Sequence, residues 1–231
     1  MVNSPASPSS LRKAARRMPR RRLDFVPIRA IPPTERARIV QHLQGLEPHD
    51  RYLRFGYAAN DGQIQRYVDG LDFERDQIFG IYNRRLHLIA MAHLAFALDR
   101  QYASCAEFGV SVQAAARGRG YGKLLFNRAV VHARNQGVGM LFIHALTENT
   151  IMLGIAHQAG ARVHRDGSES EARLMLPPAT LDTRVSEMVE RQFAEANYAI
   201  KQQAKRVRNL FKRLRAAPVA DAASDALPPA P

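Results

Sequence analysis

Three glycines alternate with larger residues in the run Arg117-Gly118-Arg119-Gly120-Tyr121-Gly122-Lys123. Glycine lets the backbone approach a ligand closely and turn several N–H groups into one concavity. If a helix begins here, its first turn adds unpaired N–H donors and the positive end of its dipole. Arg117, Arg119 and Lys123 place cationic side chains beside them. Such a group suits a pyrophosphate. The spacing is not that of a Walker loop, which needs Gly-Lys-Ser/Thr after a longer gap, and its third glycine comes too early for the dinucleotide fingerprint. Two further residues could do chemistry nearby. Glu107 lies in the apolar run before the loop, where a carboxylate is costly to bury and is a candidate general base. Asn149 follows the next apolar run, Met140–Leu146, and reads as a helix cap.

The elements that position these residues follow from the pattern of apolar residues. The run 104–112 is short, apolar and β-branched, so it predicts a strand; Leu124, Leu125, Ala129, Val130 and Ala133 recur at helical spacing, so they predict a helix over 120–136, closed by Gly137. Upstream, 23–31 reads as a first strand ended by Pro32-Pro33. Thr34 then caps a helix carrying Ile39, Val40 and Leu43. Residues 49–56 follow, with aromatics packed under the next helix and Arg51 and Arg54 outward; Asp61-Gly62 opens that helix. Strands over 77–82 and 86–98 form a hairpin, with 99–102 as the next turn. Downstream come a strand over 140–146, a helix begun at Thr147 or Asn149, and two last strands, 161–163 and 172–176, around a polar turn.

Strand, glycine loop, helix, strand and Asn149 in this order resemble a GNAT-family N-acyltransferase. The resemblance covers about residues 23–178 and is strongest from Ala106 to Ala161. The family's key pattern is Arg or Gln, two residues, Gly, one residue, Gly or Ala; here it is Arg117-Gly-Arg-Gly120-Tyr-Gly122. The resemblance implies an α/β (α+β) fold with a splayed, mostly antiparallel sheet, helices on both faces, and acetyl-CoA in the gap as co-substrate. Carried over, backbone groups near Val110 and Val112 pair with the pantetheine amides. The N–H groups from Gly118 through Arg119, Gly120, Tyr121 and Gly122 to Lys123 hold the pyrophosphate, with Arg117 beside them, and Asn149 contacts the cofactor. Glu107 stands where several protein acetyltransferases of the family place a glutamate. The family's usual acid, a tyrosine seven residues after the asparagine, is Ala156 here, with His157 adjacent. His144 is a further candidate donor, although a lone histidine on an apolar strand is more often a satisfied core residue.

The expected activity is therefore transfer of an acetyl group from acetyl-CoA to a primary amine, on a small molecule or a protein lysine. Acidic residues at 47, 50, 61, 69 and 72 would suit a cationic acceptor. The alternative is an acyl-CoA-binding regulatory protein with weak or no catalysis, its basic helix contacting a partner. No metal set is expected, and the single cysteine, Cys105, excludes a disulfide framework and a cysteine-based zinc site.

The net charge of +13 sits at the ends: seven basic residues and no acid in 1–22, and the same in 201–215, leave 23–200 close to neutral. Nothing approaches a membrane span and no apolar stretch follows the N-terminal bases, so the chain reads as cytoplasmic. Residues 1–22 and the Ala/Pro-rich 217–231 flank the body as disordered tails. A long helix over 181–216 carries Val185, Val189, Phe193, Ala196, Ile200, Ala204, Val207, Phe211 and Leu214 at spacings of three and four. This stripe could dock on the parent domain or zip to a second copy in a homodimer. Docking of the first half, with the basic second half projecting, is the expectation. With Phe211 as the only interleaved aromatic, nucleic acid is not an expected partner.

Overall fold

The structure, a computed structural model, describes residues 26–97 and 104–216; the expectations for both tails, the start of the first strand and the 99–102 turn lie outside these residues. Seven strands form one sheet: β1 (Arg29–Ala30), β2 (Gln77–Tyr82), β3 (Leu88–Phe96), β4 (Cys105–Val112), β5 (Met140–Leu146), β6 (Arg162–Asp166) and β7 (Glu169–Met175). Their order across the sheet is β1-β2-β3-β4-β5-β7-β6. Every neighbouring pair is antiparallel except β4 and β5, which are parallel. A parallel neighbour needs a crossover, and the helix following the glycine loop, α4 (Tyr121–Asn135), supplies it.

Helices cover both faces. Alternate residues of β2 divide between them: Phe79 and Ile81 join Phe108, Leu125, Phe126 and Leu141 in one core under α4 and α5 (Thr150–Gln158). Ile78 and Tyr82 join Ile39, Leu43 and Ile64 in the other core. That second core lies under α1 (Arg36–Gln44) and α3 (Asp61–Asp69), which are joined by α2 (Pro48–Phe55). The last helix, α6 (Leu181–Ala216), meets α4 and passes the β1 edge, where Tyr198 enters the second core.

Four local expectations are corrected. Within the described residues the first strand spans only Arg29–Ala30, with one further bond from Ile31 N–H to the Ile78 carbonyl, because Pro27, Pro32 and Pro33 cannot donate to a ladder. Thr34 does not cap α1: it lies inside a 3₁₀ turn, Pro33–Glu35, that leads into the helix. Arg51 turns inward, its guanidinium donating to the carbonyls of Gln44, Leu46 and Ala59 and pairing with Asp61 at 2.7 Å. The last two strands run through the polar stretch and meet at a turn holding Gly167 (φ 57°). β6 is the edge strand, where a water-facing strand accepts charged residues, and β7, beside it, turns charged residues to the same water, so polarity did not mark a loop there.

Candidate active site

The site begins where two strands part. β4 and β5 pair only over Cys105–Glu107 and Met140–Phe142. Beyond that point β5 stays bonded to β7, up to Leu146 opposite Glu169, while β4 remains bonded to β3 alone. The orientation of the freed backbone follows from two bonds. The Cys105 carbonyl accepts from Ala97 N–H, and Gln113 N–H donates to the Ile89 carbonyl, so odd-numbered residues of β4 face β3. Phe108, Val110 and Val112 therefore turn their N–H and C=O groups into the gap. This is the geometry needed to pair with an extended amide-bearing chain, like a partial extra strand. The gap opens into a cleft of about 1300 Å³ between α2, α5 and the glycine loop.

At one end of the cleft the chain leaves β4 through a short 3₁₀ turn, Ala114–Ala116, and reverses through Gly118 (φ 73°) and Gly120 (φ 75°). Both glycines hold left-handed backbone that a side chain would strain. Gly120 is the N-cap of α4 and brings no side chain to the cap. The first helical N–H groups, those of Tyr121, Gly122 and Lys123, thus have no acceptor within the helix and form an anion-binding end. Asn149 sits across the cleft as the N-cap of α5, its Oδ1 accepting from Met152 N–H at 3.2 Å. Its amide nitrogen has no hydrogen-bond partner among the described residues.

A second set of side chains lies on the floor where β4 and β5 diverge. Glu107 Oε1 stands 3.3 Å from His144 Nδ1, and His144 Nε2 stands 3.3 Å from Glu171 Oε2 on β7. The Arg173 guanidinium beside Glu171, helped by His144, holds that carboxyl below its ordinary value. Glu107 and His144 are both more than half exposed to the cleft.

The sequence pattern of the Acetyltransferase (GNAT) family matches residues 40–160. This chain belongs to that family. Solved structures share its fold. The GNAT domain of PAT from S. lividans is 21% identical with a TM-score of 0.55, over 64% of this chain and 89% of that one. yncA from Salmonella typhimurium, solved with its cofactor acetyl-CoA, is 14% identical with a TM-score of 0.53, over 67% and 96%. The spermidine N-acetyltransferase from Vibrio cholerae, solved with CoA and spermine, is 14% identical with a TM-score of 0.51, over 64% and 94%. No curated protein matches the sequence.

In this acetyltransferase the cleft gathers Glu107, Val110, Val112, Gly118, Gly120 and Asn149. Arg117, Tyr121, Gly122 and Lys123 line it too, whereas Arg119 is exposed and outside it. Arg117 pairs with Asp50 of α2, tying the loop to the opposite wall, and Lys123 reaches Gln158 of α5 at 3.1 Å. Ala156, at the position of the family's usual tyrosine, is fully buried in the core. The adjacent His157 lines a smaller groove between α5 and β6, away from the main cleft. His144 is not the core residue that its apolar strand suggested; the parting of β4 from β5 leaves it open to the cleft.

Two features escaped sequence reasoning. Glu171 meets His144 only through the β5–β7 register, which no local pattern reveals. Arg54, expected outward, instead lines the cleft over Gly109, where a Cβ would stand 2.8 Å from its guanidinium. Arg54 donates to the Tyr67 hydroxyl at 2.8 Å, Tyr67 is 2.9 Å from His93 Nδ1, and His93 Nε2 is 3.0 Å from Asp76. Because arginine can only donate, the hydroxyl proton goes to His93 Nδ1 and the ring proton on Nε2 goes to Asp76. Burial lowers the His93 pKa despite Asp76, consistent with this neutral tautomer. Four of the five acidic residues expected to greet a cationic acceptor are otherwise engaged: Asp50 with Arg117, Asp61 with Arg51, Asp69 with Gln65 and Asp72 with Arg75.

Proposed function

We propose that this acetyltransferase moves the acetyl group of acetyl-CoA to a primary amine, on a small molecule or a protein lysine, by direct attack on the thioester. The observation that carries the reading is the convergence, in one cleft, of the unpaired β4 edge, the glycine loop and the Glu107–His144 pair. Two proteins of the same fold support the choice of donor: yncA was solved with its cofactor acetyl-CoA, and the spermidine enzyme with CoA and spermine.

Acetyl-CoA supplies the activated acyl carbon. The amides of the glycine loop and α4 hold the pyrophosphate, Val110 and Val112 align the pantetheine arm along β4, and the Asn149 amide steadies it. Glu107 takes the proton that the attacking amine must lose, and His144 accepts it in turn or positions the carboxylate. A gap-facing N–H of β4 stabilises the oxyanion as the new C–N bond forms and the C–S bond breaks. No tyrosine acid is available at Ala156, so the departing thiolate is protonated from His144 or from water.

Calorimetry with acetyl-CoA and a thiol-release assay over a panel of amines and lysine peptides test the reading. Turnover of at least one amine is expected, and Glu107→Gln should lower kcat at neutral pH by about 10²–10⁴-fold with acetyl-CoA affinity retained. Binding without turnover on any amine would establish the acyl-CoA-sensing alternative instead, and full activity in Glu107→Gln would remove the base assignment.

A further inference from the structure

Helix α6 docks by the wrong face for a helix of its composition. Among its residues whose burial is described, three are buried: Glu187, Ala194 and Tyr198. Glu187 bonds Arg128, His132 and Asn135 of α4, while Tyr198 donates to Glu35, and Lys201 to the Tyr82 carbonyl. The apolar stripe faces the other way. Leu181 is 84% exposed, Val185 60%, Met188 66%, Val189 61% and Ile200 65%. At about 100° per residue the buried set and the stripe point about 180° apart. Exposed apolar rows of this length mark interaction surfaces.

The stripe's spacing defines what fits it. Val185, Ala196 and Val207 recur at intervals of eleven, as do Val189, Ile200 and Phe211, and Phe193 with Ala204. An eleven-residue repeat keeps an apolar seam straight or slightly right-handed along a helix, and from 185 to 214 the seam runs for about 45 Å. Its occupant must be a comparably long, apolar helix. Among the described residues no other helix exceeds the fifteen residues of α4. Residues 1–22 hold Met1, Val2, Leu11 and Met18 among seven bases, and 217–231 hold Val219 and Leu227. The α6 of another copy has the required length and pattern.

Charge selects the direction. Residues 201–215 carry seven bases and no acid, whereas 181–200 carry Asp182, Glu187, Glu190 and Glu195 against Arg184 and Arg191. A parallel pair would lay the two basic halves side by side, well within a Debye length. An antiparallel pair keeps the two basic halves at opposite ends and closes with two-fold symmetry; Glu187, Glu190 and Glu195 already face Arg128 and Arg29 of their own protomer, so it is this separation that sets the direction.

We propose that α6 forms an antiparallel helix pair with α6 of a second copy, through the stripe that includes Val185, Val189 and Ile200, making the enzyme a homodimer whose clefts stay open. Sedimentation of the full chain from low micromolar to about 100 µM should show a dimer. Val189→Glu/Ile200→Glu should raise the dimer dissociation constant by at least about 100-fold, with circular dichroism and acetyl-CoA binding retained, because neither residue touches the docking face. In a Cys105→Ser background, Leu181→Cys should cross-link to Leu214→Cys in mixed samples and not to itself. A monomer throughout the range, or a dimer indifferent to folded Val189→Glu/Ile200→Glu, overturns the pairing. Should that variant not fold, the cross-links decide: none at all overturns the pairing, and Leu181→Cys self-linking overturns its direction.

Discussion

Replacing Gly118 or Gly120 by alanine separates a phosphate cradle from a mere tight turn. Both residues hold left-handed backbone, φ 73° and 75°, and a Cβ built on either meets nothing within 4 Å. The cost to the free protein is therefore conformational alone, about 1–2 kcal/mol for an L-residue in that region. For a chain of this size each kcal/mol lowers the melting temperature by about 2–4 °C. Gly137, at the far end of α4, is a matched control: its φ is 82° and its Cβ would also meet nothing. Gly118→Ala, Gly120→Ala and Gly137→Ala should thus lose similar stability in thermal melts. Their acetyl-CoA affinities should diverge. A methyl group in the loop re-aims the amides of residues 118–123 and intrudes where the backbone must approach phosphate, so Kd by calorimetry should rise at least about 10-fold, a loss of about 1.4 kcal/mol. Gly137→Ala should bind as the wild type does. Wild-type affinity in both loop variants, or an equal loss in Gly137→Ala, would refute the cradle.

Three further outcomes are expected. His42 is fully buried, 3.0 Å from the Leu88 carbonyl and 2.9 Å from Ser111 Oγ, and burial pushes its pKa down to about 4. The unfolded chain protonates it near 6.5 while the folded chain does not, so its contribution is whole above pH 6.5 and falls away by about 3 kcal/mol down to pH 4, visible in urea titrations at stepped pH and flattened in His42→Gln. Glu187→Gln strips Arg128, only 4% exposed, and His132 of their shared carboxylate; stability should drop by about 3 kcal/mol in denaturant melts, with acetyl-CoA affinity retained. Arg54→Met removes the cationic group over Gly109 and the donor to Tyr67, so steady-state kinetics should show acceptor KM raised about 10-fold or more and acetyl-CoA Kd unchanged.

What was legible in the sequence is what local chemistry fixes. Apolar runs gave the order of strands and helices, and Asn149 and Gly137 marked helix ends because capping depends on a few adjacent residues. The glycine loop was legible for the same reason. Burial and orientation were not, because they depend on partners distant in the chain. Arg54 looks like a solvated helix residue until Gly109, fifty-five positions later, leaves room for it to cross β4. Glu107 looked like a carboxylate that must be buried, since nothing in its strand says that the neighbour will leave. The docking face of α6 was hidden likewise: the periodicity of Val185, Val189 and Ile200 pointed to the apolar face, whereas an ion pair from α4 and a hydrogen bond from Tyr198 to Glu35, in the turn before α1, hold the other one.

The parting itself has a cause in side chains. β5 is held to β7 beyond the point where β4 ends its pairing, and Thr147 fastens that end: its N–H donates to the Ser168 carbonyl, and its hydroxyl lies 3.2 Å from the Gly167 carbonyl, 3.1 Å from that of Glu169 and 2.9 Å from Ser170 Oγ. On the other side Gln113 N–H, bonded to the Ile89 carbonyl, keeps the end of β4 against β3. Each strand is thus anchored on the side away from the gap, and these two anchors hold the strands apart. The backbone groups of Phe108, Val110 and Val112 must then find water or a ligand with amides of its own. On the proposed function, a thioester carrier whose arm contains two amides would satisfy them, with its acyl end near Glu107, which stands beside His144.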